Sequence, residues 1–381
     1  MKSFYLFGMA CVMLFALSIV GCFTTTNEKR GGVSIERYDL SPDGKLILLE
    51  FTNPNKPRTQ SLQTALYDWQ SDKLRILDYP AREEKEGWMR FTSFTPDGKG
   101  LLTLSFIDSK KTDDWFESHL YRIDLEQDTI THLAQLPILA IPRKTEKAMQ
   151  LHYAWRYPAL QPGTNKILFV AEAPLSIGDH LVEYDLDSQK SRVILDPKTN
   201  GFKWILTARF IGKDEIMFDG LVPFNDELKQ KIKSYGVRRY DFAFYHLKFG
   251  NSPELVFPRS KEDTSSNRKI KAKDVTSDGK TISLVGLSET QPYAPQGWYN
   301  HEVYTLTNNV LTQRTNVKQH ILRSRMSRNG SYVVFQGRSD RNGPRDQGHQ
   351  FYMLDLKRDW VSYIPLMARL KQHIDATVKI H

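Results

Sequence analysis

A chain of 381 residues that is 40% hydrophobic and 12% aromatic has the material for a large buried core, which excludes an intrinsically disordered protein. Its two cysteines, Cys11 and Cys22, are too few for a disulfide-framed fold, and a formal charge of +9 points to anionic partners. Length alone suggests two domains at roughly 150 residues each, although β-repeat folds of this size form single units.

The chain opens with MKSFYLFGMACVMLFALSIVGC, in which Lys2 precedes an apolar run from Phe4 to Val20 without charge or proline. That is the pattern of an export signal, long for a cleaved signal core and slightly short for a membrane span. Ile19, Val20, Gly21 and Cys22 resemble the bacterial lipobox, with Ile where Leu is commoner. The resemblance implies a lipoprotein signal peptide over residues 1–21, a diacylated Cys22, and a lipidated flexible tether over 22–32. Phe23, rather than Asp, follows the cysteine, which in a Gram-negative cell implies the outer membrane, facing the periplasm. The other reading is an uncleaved anchor helix. Under the first, Cys11 is removed, and cysteine nucleophiles and thiolate metal sites are excluded.

Beyond the tether a turn-and-strand pattern recurs six times. The copies are DLSPDGKLILLEF at 39, SFTPDGKGLLTLSF at 93, ALQPGTNKILFVAE at 159, RFIGKDEIMFDG at 209, DVTSDGKTISLVGL at 274 and RMSRNGSYVVFQG at 325. In the Pro-Asp-Gly copies Pro presets φ, Asp bonds back to the local backbone and Gly accepts positive φ. Each turn is followed by two more strand-like runs, such as HLYRIDL with ITHLAQL and HQFYMLDL with WVSYIPL. Turn glycines recur every 49 to 67 residues. Four short strands per repeat of that length match a propeller blade, which buries its faces only against its neighbours. The expected fold is all-β: a single β-propeller over residues 33–367, of six four-stranded antiparallel blades, with seven possible. A sandwich or barrel reusing the same turn is the competing architecture. The tail, 368–381, either supplies a closing strand or packs outside.

The S/T-P-D-G-K turns, the L-x-L/F strands after them and the Y-x-x-D-L strands that follow resemble the TolB-type β-propeller repeat of bacterial periplasmic proteins. The resemblance covers 33–367 and marks a fold, since the same repeat occurs in partner-binding propellers and in propeller domains of peptidases. TolB itself has an α/β domain ahead of its propeller and is soluble, so this chain does not read as TolB.

Enzyme signatures are missing from the sequence. There is no G-x-S-x-G nucleophile turn, P-loop, dinucleotide fingerprint or H-E-x-x-H motif, and SPDG lacks the spacing of a sialidase box. His119, His180, His301 and His349 each open a third strand, but equivalent positions on separate blades are too far apart for one coordination sphere. No metal and no cofactor are expected. The six innermost strands carry Arg37, Arg90, Arg156, Arg209, Lys271, Lys273, Arg323 and Arg325 against only Glu36, Asp39 and Asp274. Such a channel either captures an anionic group through guanidinium donors or pairs internally with its few acids.

Insertions between second and third strands share one face. FNDELKQKIKSYG, 224–236, reads as a short helix capped by Asn225, with Leu228, Ile232 and Tyr235 on one stripe and Gly236 as its stop. TQPYAPQGWYNH presents Tyr293, Trp298, Tyr299 and His301 for stacking or for covering blade edges, and GRSDRNGPRDQGH ends at His349. The reading is a monomeric, lipid-anchored, non-catalytic platform for an envelope protein or anionic ligand, not nucleic acid. Candidate contacts are Arg37, Arg90, Arg156, Arg209, Arg323 and Arg325 in the channel, with Trp298, Tyr299, His301 and His349 on the loop face. The alternative is a propeller-type lyase or glycosidase acting on acidic polysaccharide.

Overall fold

The computed structural model describes residues 33–56, 62–77, 89–108, 116–136, 154–172, 178–196, 201–237, 242–266, 268–293, 299–338 and 349–378. Cys22, the signal segment, the tether and Trp298 lie outside the described residues. Arg90 and His349 lie within described strands, but their side chains are also outside the description.

The described strands form six four-stranded antiparallel sheets, each built from four strands consecutive in sequence. The blades run Ser34–Leu77, Met89–Gln135, Ala154–Leu195, Phe202–Phe257, Lys271–Gln313 and His320–Ile364. The first strands line the channel and contact one another at every junction but that of blades 4 and 5, where the second and third strands of blade 4 meet the first strand of blade 5. This is a six-bladed β-propeller. Its core is six apolar clusters, one at each blade junction: Leu48 and Leu66 meet Phe94 and Leu101 between blades 1 and 2, for example, and Val285 and Val303 meet Ile321 and Phe335 between blades 5 and 6. No blade can bury both faces by itself, so the ring is the unit of stability.

The repeated turn works as its residues demand. In blade 1, Ser41 Oγ donates to Asp43 Oδ1 at 2.7 Å, Asp43 Oδ1 also accepts from Lys45 N, and Gly44 takes φ +82°. Thr95 with Asp97, Thr276 with Asp278 and Ser327 with Asn329 repeat the first contact. Gly44 has a second reason to be glycine, because a Cβ there would lie 2.4 Å from Tyr332 Cδ2 of blade 6.

All six first strands carry a one-residue β-bulge before the turn. Register slips between Ile35 and Arg37, Arg90 and Ser93, Arg156 and Ala159, Ile205 and Ala208, Ala272 and Asp274, and Ile321 and Arg323. A bulge leaves one residue unpaired and sharpens the twist, which re-aims side chains toward the axis. Buried carboxylates then take up backbone donors of the next blade: Glu50 accepts from Thr92 N at 2.7 Å, Asp179 from Ile205 N at 2.8 Å and Asp274 from Met326 N at 3.1 Å. These charge-assisted bonds join blades 1 to 2, 3 to 4 and 5 to 6.

Blade 6 meets blade 1 without sharing a strand. After Ile364 the chain forms a helix, Leu366–Val378, whose Leu366, Leu370 and Ile374 enter one cluster with Tyr38, Phe51 and Tyr67 of blade 1 and Phe351 of blade 6. Arg369 pairs with Asp72 of blade 1, Nε lying 3.0 Å from both carboxylate oxygens. The tail is therefore a helical clasp over the seam. Among the described residues no helix is long and apolar enough to cross a membrane.

Candidate functional site

The channel is crossed by charge. Arg209, on the first strand of blade 4, reaches the opposite side of the ring, where Nη2 donates to Asp39 Oδ1 of blade 1 at 2.8 Å; its Nε lies 3.5 Å from Asp274 Oδ1 of blade 5. Burial opposes both charges, but Asp39 and Asp274 outweigh it and raise the Arg209 pKa, while Arg209 and Arg325 hold Asp39 below its usual value. Among the described residues Asp219 has no such ion pair. Burial lifts it to about 7, against the opposing pull of Lys273 and Arg325.

The other channel arginines also touch neighbouring strands. Arg323 donates to the Glu36 carbonyl, joining blade 6 to blade 1, and Arg325 donates to the Lys273 carbonyl at 3.2 Å. The Arg37 guanidinium stacks on Phe91 and Tyr157, 4.9 and 4.5 Å from their centroids, with Nη1 3.7 Å from Glu50. Phe91 and Tyr157 sit at the bulges of blades 2 and 3 with φ +59° and +54°. Those are strained values for aromatic residues, held by the packing around them. Arg156 lies 6.0 Å from the Phe91 ring. Inside this layer a cavity of about 30 Å³ is lined by Arg37, Glu50, Tyr157, Arg209 and Arg325. That is room for one or two waters, not for a sugar or a peptide side chain. Arg328, not singled out by sequence reasoning, donates to the Val275 carbonyl at 3.0 Å and to the Phe210 carbonyl.

At the mouth where the first strands begin, a different group assembles over blades 5 and 6. Lys269 Nζ stands 3.7 Å from the Tyr299 ring centroid, Tyr299 packs on Tyr293 at 5.5 Å and lies 6.2 Å from His301, and His301 meets His320 at 4.7 Å. The backbone pins the cluster: His301 N donates to Gln319 O at 2.7 Å, Ser288 N to Asn300 O at 2.9 Å and Asn300 N to Pro292 O at 3.0 Å. Burial, then His320 and Lys273, Lys271 and Lys269, push His301 down to about 4, so it is neutral at pH 7. Six cations and two carboxylates lie between residues 259 and 273, and Arg259 is paired with buried Asp263 at 3.1 Å. Lys261 and Lys271 point to solvent.

The helix Asp226–Ser234 flanks this mouth. Asn225 caps it by accepting from Leu228 N, Leu228 and Ile232 are buried, and Gly236 ends it at φ +80°. Lys229, Lys231 and Lys233 are left exposed. Thr264 Oγ1 donates to the Tyr235 carbonyl and Ile270 N to Asp263 O, so helix, turn and Lys269 segment form one hydrogen-bonded rim.

The structure thus brings Tyr293, Tyr299 and His301 together and adds Lys269 and His320. The sequence signal for the cations was RKIKAK at 268–273, whose alternation was visible but whose contact with a loop thirty residues on was not. His119 lies beside His132, Nδ1 to Nε2 at 3.1 Å, and His180 is 3.9 Å from Asp196. Among the described residues no group of three or more His, Cys, Asp and Glu is placed to hold a metal ion.

No protein-family model matches the chain, and no curated protein matches it. Among solved structures it is similar to TolB from Acinetobacter baumannii, at 15% identity and TM-score 0.48, over 91% of this chain and 66% of that one. It is similar to an oligogalacturonate lyase solved with manganese, at 14% identity and TM-score 0.49, over 87% and 77% of the two chains. The β-propeller domain of the trilobed protease from Pyrococcus furiosus follows at 13% identity and TM-score 0.44, over 87% and 83%. The chain spans just under two thirds of that TolB.

Proposed function

We propose that the chain is a cell-envelope β-propeller, held through diacylated Cys22 at the outer membrane and facing the periplasm, that serves as a non-catalytic binding platform for an anionic partner. The binding surface is the rim over blades 4 to 6, not the interior of the channel. One observation carries this reading: Arg37, Arg209, Arg323 and Arg325 have protein partners and the cavity lined by Arg37, Arg209 and Arg325 holds only about 30 Å³, whereas the Lys269, Tyr299 and His301 group lies at the mouth beside exposed lysines. Cations over an aromatic rim, without an excess of carboxylates, form a surface for an acidic protein segment or a charged ligand.

Photo-cross-linking from position 293 in intact cells, with identification of the captured species, tests it. Charge reversal of Lys269 and Lys271 to Glu changes the local charge by four units, and at about 1 kcal/mol per charge the capture should fall more than tenfold. Capture unchanged by that reversal refutes the reading. Charge reversal at Arg156 and Arg323 is expected to do less, because Arg323 serves the blade 6 to blade 1 contact.

One observation favours the enzymatic alternative. A neutral His301 beside Tyr299 and Lys269 offers a base, a stacking ring and a cation for a uronate carboxylate, the elements a polysaccharide lyase needs. Unsaturated product released from acidic polysaccharide by the wild type, and not by His301→Gln, would select it.

A further inference from the structure

The basic rim and the entry of the chain share one face. Strands alternate direction within each blade, so the six first strands start on the side that also carries the loops between second and third strands, and the Pro-Asp-Gly turns occupy the other side. The first strand starts at Ser34, preceded by buried Val33, and the Glu36 carbonyl accepts from Arg323 at the same mouth. Ten residues, 23–32, separate Cys22 from Val33. A flexible chain of that length has a root-mean-square span of about 18 Å. The turn face lies a further strand length away, about 23 Å for seven residues.

Both faces carry lysines, some beside acids, and on the rim Lys229 lies 3.9 Å from Asp226. On the turn face lysines have acidic partners nearby: Lys45 with Asp43 at 3.5 Å, Lys99 with Glu126 at 3.7 Å and Lys280 with Asp278 at 3.9 Å. On the rim Lys231, Lys233, Lys261 and Lys271 are exposed, and Tyr293, 51% exposed, packs on Tyr299, which carries Lys269 on its ring. Lysines interleaved with half-exposed tyrosines suit a membrane interface, where the amines meet phosphates and the rings lie at headgroup depth.

We infer that the anionic partner of the rim is the phosphate-bearing headgroup layer of the membrane that holds the N-terminal lipid, so that the propeller lies mouth-down with its turn face toward the aqueous compartment. This deepens the reading above and rests on it, and on the acylation of Cys22. Docking by the rim adds a second, electrostatic attachment to the lipid, and the two act together because the tether keeps the local concentration of headgroups high.

The test uses the full chain from residue 22 with Cys22→Ser, which carries no other cysteine, and vesicles of phosphatidylcholine with or without phosphatidylglycerol. Expected is co-sedimentation with the phosphatidylglycerol vesicles only, lost at high salt, and weakened about tenfold or more both by Lys269→Glu with Lys271→Glu and by Lys231→Glu with Lys233→Glu. The near-ultraviolet circular dichroism of each pair should match the parent. An environment-sensitive dye at Tyr293→Cys should shift to the blue on binding, and the same dye at Lys99→Cys on the turn face should not. Absence of vesicle binding, while position 293 still captures a soluble partner in cells in a Lys269- and Lys271-dependent manner, overturns the inference and leaves the platform reading standing. Loss of both overturns both. A blue shift at position 99 instead of 293 reverses the orientation, and full membrane fractionation of Cys22→Ala removes the anchor on which it depends.

Discussion

Asp274→Asn probes whether charge holds the centre of the ring. Asp274 is 2% exposed; Oδ1 accepts from Val275 N at 2.9 Å and faces Arg209 Nε at 3.5 Å, while Oδ2 accepts from Met326 N of blade 6 at 3.1 Å. Asparagine keeps the shape and one acceptor, but it turns an NH₂ group toward either Arg209 or the Met326 amide. Removing one partner of a buried ion pair costs about 3–5 kcal/mol, because the other charge stays desolvated. Arg209 retains Asp39 at 2.8 Å, which places the expected loss at the lower end, about 3 kcal/mol. In urea unfolding at pH 7 the midpoint should drop by roughly 1 M for a slope of about 3 kcal/mol/M. Arg209→Met in the Asp274→Asn background should cost less than the sum of the single changes by about 1–3 kcal/mol, as expected for groups in contact. A single-mutant loss below about 0.5 kcal/mol, or strict additivity of the pair, would refute a charge-held channel.

Two further outcomes follow from the same packing. With His301 lowered to about 4 in the fold and near 6.5 when unfolded, the unfolded chain binds more protons between those values, so the His301 contribution is complete above 6.5 and declines as pH falls toward 4; Asp219, lifted to about 7, acts in the opposite sense in any variant that keeps it, so calorimetry should show the wild type losing about 2 kcal/mol relative to His301→Gln between pH 7 and pH 5. Leu370→Ala opens a void where the clasp helix meets blades 6 and 1, and since Leu370 is fully buried the expected loss is about 3 kcal/mol by chemical denaturation; a change under about 1 kcal/mol would mean the helix is not part of the core.

Much of the fold was legible because its signals are local. The turn Ser41–Gly44 is closed by hydrogen bonds within five residues, as is the helix cap of Asn225 and Leu228, and the blade count follows from repeating the turn. The bulges were not legible. One extra residue such as Glu36 or Lys273 leaves the alternation of its strand almost unchanged, and it is the twist demanded by the ring that selects it. Distance in sequence hid the rest. Arg209 and Asp39 are 170 residues apart, and nothing near either announces the other, so the internal pairing across the channel left no local signal. Tyr299 and His301 were visible as loop residues, but Lys269 and His320 join them only because blades 4, 5 and 6 converge at the mouth.

The helical clasp sets the order in which the ring comes into being. Every blade is drawn from one uninterrupted stretch of chain, so each sheet can form as its own stretch arrives, with blade 1 complete long before blade 6. A ring that borrowed a strand from its beginning would have to hold blade 6 incomplete until both ends met. Here all four strands of blade 6 are already local, and only the seam stays open until Leu366, Arg369 and Leu370 follow. For a chain made from its N-terminus, closure becomes the final step of folding. A chain interrupted just before Leu366 has every blade and an unlocked ring, its seam side chains exposed to whichever chaperone or protease meets it.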